Sequence, residues 1–96
     1  MQTILIHLFD RYYDMSIKHP SIDLKFSISQ LCEVAVYHLT EQTITFDKAN
    51  RWLGFVQGVL ISHDITTSDI ERDYTRPLFQ SYYKEHNILQ DKISVR

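Results

Sequence analysis

Apolar residues recur at three- and four-residue intervals along most of this chain, the period of helices rather than of strands. Leu5, Leu8, Phe9, Tyr12 and Met15 line one side of a first segment, widened by Ile6, Tyr13 and Ile17. His19-Pro20 predicts its end, because the residue before a proline avoids helical geometry. Ile22, Leu24 and Phe26 then alternate, which suits a short extended connector. Ser27-Ile28-Ser29-Gln30 has the form of a capping box opening a helix whose stripe is Ile28, Leu31, Cys32, Ala35, Val36 and Leu39.

Thr45 or Asp47 is expected to cap the next helix, which carries Trp52, Leu53, Phe55, Val56, Val59 and Leu60 and is apolar on nearly all sides. That pattern predicts the central, most buried helix of a bundle. His63-Asp64 is expected to turn the chain, and Ser68 with Glu71 offers a further capping box. Ile70 and Tyr74 should point inward, and Pro77 should break the helix or start a new one, with a single kinked helix as the alternative. The prediction is an all-α fold, one domain of four to five helices at about 2–17, 28–40, 46–62, 68–75 and 77–86, with a mixed tail from Asn87.

Gly54 and Gly58 are the only glycines of the chain. Each costs about 1 kcal/mol against alanine inside a helix. Four residues apart on one face, they predict a groove where another helix comes unusually close, within the chain or across a homodimer.

Composition narrows the classes. With 96 residues, 44% apolar and 23% charged, the chain has the make-up of a globular domain. A net charge of −2 lacks the basic excess of a dedicated duplex binder. One cysteine excludes an internal disulfide and suits a reducing compartment. No signal peptide is visible, and the run Trp52–Ile61 is too short to span a bilayer, so a cytoplasmic chain without membrane contact is expected.

Chemistry-bearing patterns are sparse. The five histidines show no pair at helical ligand spacing and none stands beside Cys32, so neither a metal nor a cofactor is expected. Cys32 reads as a small buried hydrophobe. No phosphate loop, nucleophile elbow or paired-carboxylate motif is present, and the chain is expected not to be an enzyme. Asp69, Glu71 and Asp73 interleave with Arg72 and Arg76 as a solvated, ion-paired helix face. Arg51, Arg72 and Arg76 are candidate anion or acidic-partner contacts, weighed against local pairing with Asp47, Asp69 and Asp73. In Tyr12-Tyr13 and Tyr82-Tyr83 one member of each pair is expected to be buried and its neighbour partly exposed, and Tyr82 and Tyr83 are candidate binding aromatics, weighed against tyrosines that complete the core.

Asn50-Arg51-Trp52-Leu53-Gly54-Phe55-Val56-Gln57-Gly58, then Thr66-Thr67 and Glu71-Arg72-Asp73-Tyr74-Thr75-Arg76-Pro77-Leu78-Phe79, resembles short accessory proteins encoded by bacteriophages and prophages. The resemblance covers roughly residues 45–80. It implies a phage or prophage origin, residence in the host cytoplasm, no assigned enzyme activity, and a small helical binder such as one that blocks a host enzyme or antiviral defence. Protein binding is therefore the leading expectation, followed by binding of a small ligand such as a nucleotide, and then by nucleic-acid binding.

Overall fold

The computed structural model describes residues 1–85, and they form five helices: α1 (Gln2–Ile17), α2 (Pro20–Phe26), α3 (Ile28–Glu41), α4 (Phe46–Ser62) and α5 (Ser68–Glu85). The all-α expectation holds. The expected end of the last helix at 86 and the tail from Asn87 lie outside the described residues.

Two elements differ from the sequence reading. The stretch read as an extended connector is a seven-residue helix, α2, with Pro20 in its first turn. Proline is pre-set for that position, and Ile22 and Phe26, which alternate with Leu24, are also one helical turn apart. Both are half-buried, while Leu24 is 86% exposed. Pro77, expected to break the chain's last helix, lies inside a continuous α5. It removes the bond to the Asp73 carbonyl, but both residues lie on the exposed face, where water can take that bond.

Capping also departs from expectation at two places. Ser27 makes no side-chain cap; its backbone is left-handed (φ 55°) and the Asp23 carboxylate instead accepts from the Ser29 N–H at 2.6 Å and the Ser29 hydroxyl at 2.7 Å. At α5 the cap is Thr67, whose Oγ1 accepts from the Ile70 N–H at 3.1 Å, leaving Glu71 to turn inward and Ile70 outward. Thr45 caps α4 as expected, accepting from the Lys48 N–H.

The centre of the bundle is α1, not α4. Leu5, Leu8, Phe9 and Tyr12 are fully shielded and meet Ile28, Cys32, Ala35 and Leu39 of α3 and Ala49, Leu53, Val56, Val59 and Leu60 of α4. Gln2 donates from its side chain to the Leu39 carbonyl, tying the start of α1 to the end of α3, so the two run antiparallel. Gln57 reaches Tyr12, and Glu71 and Tyr74 reach Arg11 and His7, which sets α5 antiparallel to α1. Burial on α4 is confined to the Ala49-Leu53-Val56-Leu60 side; Trp52 is only half-buried and Phe55 is 49% exposed. A helix apolar on nearly all sides has here been given one inward face.

Among the described residues three hold left-handed backbone, and none is a glycine: Ser27, Gln42 and Asp64. Gln42 and Asp64 close α3 and α4 in the same way. The Thr43 N–H donates to the His38 carbonyl and Gln42 to Leu39; Ile65 donates to Leu60 and Asp64 to Ile61. This pair of bonds satisfies the last carbonyls of each helix.

Candidate functional site

Two places on this scaffold bear on function: a buried polar cluster between α1 and α5, and the solvent face of α4.

The cluster is built around Glu71, which is 4% exposed. Its carboxylate accepts from the Arg11 guanidinium (Nη2 at 3.0 Å, Nε at 3.4 Å), from Thr66 Oγ1 at 2.6 Å and from the Tyr12 hydroxyl. Tyr12 in turn accepts from Gln57 Nε2 at 2.9 Å, which carries the network to α4. The Arg11 guanidinium lies 3.8 Å from the centre of the Tyr74 ring, a cation–π contact, and Tyr74 shares a hydrogen bond with His7 and stacks on it. Every buried side-chain polar atom among the described residues has a partner.

Burial would raise the Glu71 pKa, but the bonds from Arg11, Thr66 and Tyr12 outweigh it and hold the carboxyl below its ordinary value. Burial and the bond to Glu71 push the Tyr12 phenol well above its own. Glu71 is thus a fixed anion and Tyr12 a fixed donor. With the carboxylate oxygens engaged by these donors, the arrangement anchors α5. Beside it lies a groove of about 420 Å³ bordered by His7, Asp10, Arg11, Asp14, Lys18 and Tyr74, mixed in charge.

The sequence reading missed this cluster, placing Glu71 on a solvated face. A signal was present. Projecting Tyr74 and Leu78 back by three and seven residues lands on position 71, so the acid stands on the inward stripe of α5.

Two of the three candidate arginines pair locally. Arg51 bonds Asp47 at 3.4 Å and Arg72 bonds Asp69 at 3.4 Å, each within one exposed helix face. Arg76 is exposed on α5. Tyr82 and Tyr83 meet edge to face at 5.7 Å, both half-buried, and Tyr82 borders a groove of about 650 Å³ with Gln2, Ile4, Phe46 and Leu78.

Gly54 and Gly58 overturn the expected close approach within the chain. A Cβ added at either would meet nothing within 4 Å among the described residues. The inward stripe of α4 points away from them, so both lie on its solvent side with Arg51 and Phe55.

Cys32 is fully shielded, and burial together with Asp23, Asp10 and Glu33 pushes its thiol up to about 12. No group of three or more histidine, cysteine or carboxylate side chains able to hold a metal occurs among the described residues. Nor is any helix among them long and apolar enough to cross a membrane. No family model, curated protein or solved structure matches this chain.

Proposed function

We propose that this chain acts by non-covalent protein binding through the solvent face of α4, as a phage-type accessory protein that occupies a surface of a host enzyme or defence complex in the host cytoplasm. One observation supports this above the others: both glycines face open space beside the half-exposed Phe55. Two helix-weakening residues on a face that meets nothing among the described residues serve no contact there. They leave a smooth strip where a second backbone can lie close, flanked by an aromatic ring and Arg51, residue types favoured at binding hot spots.

The nucleotide reading has less support, because Arg51 and Arg72 already pair with acids of their own helices. Nucleic-acid binding has less still, given the acidic balance of the chain.

The test is capture of partners from host lysate by wild-type protein and by Gly58→Leu. A Cβ at that position meets nothing among the described residues, and leucine has the better helix propensity, so the variant should keep its fold. A partner enriched by wild type and lost by the variant, at unchanged helical content, is the expected result. Light scattering of both proteins identifies the case in which that partner is a second copy. Identical capture profiles for the two proteins would sink the proposal.

A further inference from the structure

α5 is attached to the bundle unlike α1, α3 or α4. Each of those three inserts at least four fully or nearly fully shielded apolar side chains into the core. Among the described residues of α5 the one buried side chain is a carboxylate, Glu71; Tyr74, Leu78 and Phe79 reach the core only half-buried.

The ends of the flanking helices do not depend on docking. The last carbonyls of α4 are closed by the N–H groups of Asp64 and Ile65, and the first turn of α5 is capped by Thr67. Undocking α5 would therefore orphan neither helix end. Nor would it strip a fully shielded apolar side chain of its own from the core.

We infer that α5 is a releasable arm: it undocks as a unit about the linker following Ser62 while α1–α4 stay folded, and the Glu71 cluster is its latch. Opening exchanges the bonds of Glu71 with Arg11, Tyr12 and Thr66, and that of Tyr74 with His7, for bonds to water and bares the half-buried Tyr74, Leu78 and Phe79, a smaller cost than exposing the fully shielded core of α1, α3 and α4. Once undocked, an 18-residue helix interrupted by Pro77 is marginal by itself, so its amides exchange freely in the open state. Release also bares the face of α1 that carries His7, Arg11 and the Tyr12 hydroxyl.

Native-state hydrogen exchange on the full chain reads this directly. The amides of Tyr74–Tyr83 should share one protection level, at least about tenfold below that of Leu8–Tyr12 and Cys32–Leu39. Glu71→Gln weakens the docked state against every state in which α5 is out, so it should lower both groups by about tenfold and keep the gap between them. Thr66→Val, which removes one donor and no charge, should act in the same direction and more weakly, and keeps the test open should Glu71→Gln fold poorly. Leu53→Ala, a core truncation felt only when α1–α4 open, should lower the second group and leave the first unchanged. Equal protection of the two groups in the wild type, or an equal fall in both on Leu53→Ala, would overturn the inference.

Discussion

The Tyr12 hydroxyl and the Glu71 carboxylate, 59 positions apart in the chain, share one buried hydrogen bond. That bond joins the central helix to the last one, and Gln57 on the far side of the phenol extends it to α4. A buried acid among apolar neighbours is costly unless its bonds are complete. Here completeness depends on Arg11, Tyr12 and Thr66 together.

The two ends of the Arg11–Glu71 pair should therefore not be equivalent. Arg11→Met leaves a buried anion short of its strongest donor and should cost about 2–4 kcal/mol. Glu71→Gln removes the anion and should cost less, about 1–3 kcal/mol. Urea unfolding of both variants checks the order.

The same pair sets an acid dependence. Because the folded pKa of Glu71 is depressed, its contribution is fully present above the unfolded carboxylate pKa, about 4.3, and is lost as pH falls through the folded value. The groups facing it are Arg11 and Tyr12 of α1, with His7 and Tyr74 one contact further out, and neither Arg11 nor Tyr12 titrates in that window. The urea midpoint of the wild type should fall more steeply between about pH 5 and pH 2 than that of Glu71→Gln. Parallel profiles would remove Glu71 as the cause.

Gly54→Ala and Gly58→Ala should each stabilise the fold by about 0.5–1 kcal/mol, since a methyl group meets nothing at either position and helix propensity improves. Thermal unfolding decides. A loss of stability at either site would mean that the face of α4 is covered in solution.

Glycine is missing where the backbone favours it. Gln42→Gly should stabilise by about 0.5–1 kcal/mol by relieving a left-handed residue, and Asp64→Gly by less, because aspartate tolerates that conformation better. Both changes leave the backbone bonds that end α3 and α4 in place, so any gain should appear without a change in helical content.

How far the sequence could be read follows from which forces leave a periodic trace. The stripes Leu5-Leu8-Phe9-Tyr12 and Ile28-Cys32-Ala35-Leu39 repeat at helical spacing because burial selects them, and they predicted α1 and α3. α4 was harder. Trp52 and Phe55 widen its apolar pattern beyond the face that is buried, so the sequence suggested a central helix where the structure has a peripheral one. Glu71 was misread for a different reason: it stands on the stripe of Tyr74 and Leu78, but between Asp69 and Asp73 it has the look of one more surface acid, and its partner Arg11 lies some 60 residues away. Pairing across that distance leaves no local mark. The pairing of Arg51 with Asp47 and of Arg72 with Asp69 was legible, because i, i+4 and i, i+3 spacing sets each acid one turn from its arginine.

The fully shielded thiol of Cys32 makes the chain its own clock. A thiol with its pKa near 12 and no access to solvent reacts with an alkylating reagent only when the packing of α1 against α3 opens. Labelling of this single sulfur therefore times the loss of the inner bundle and ignores excursions of the last helix. In a chain with no other cysteine, one mass shift per molecule counts those events without any engineered probe.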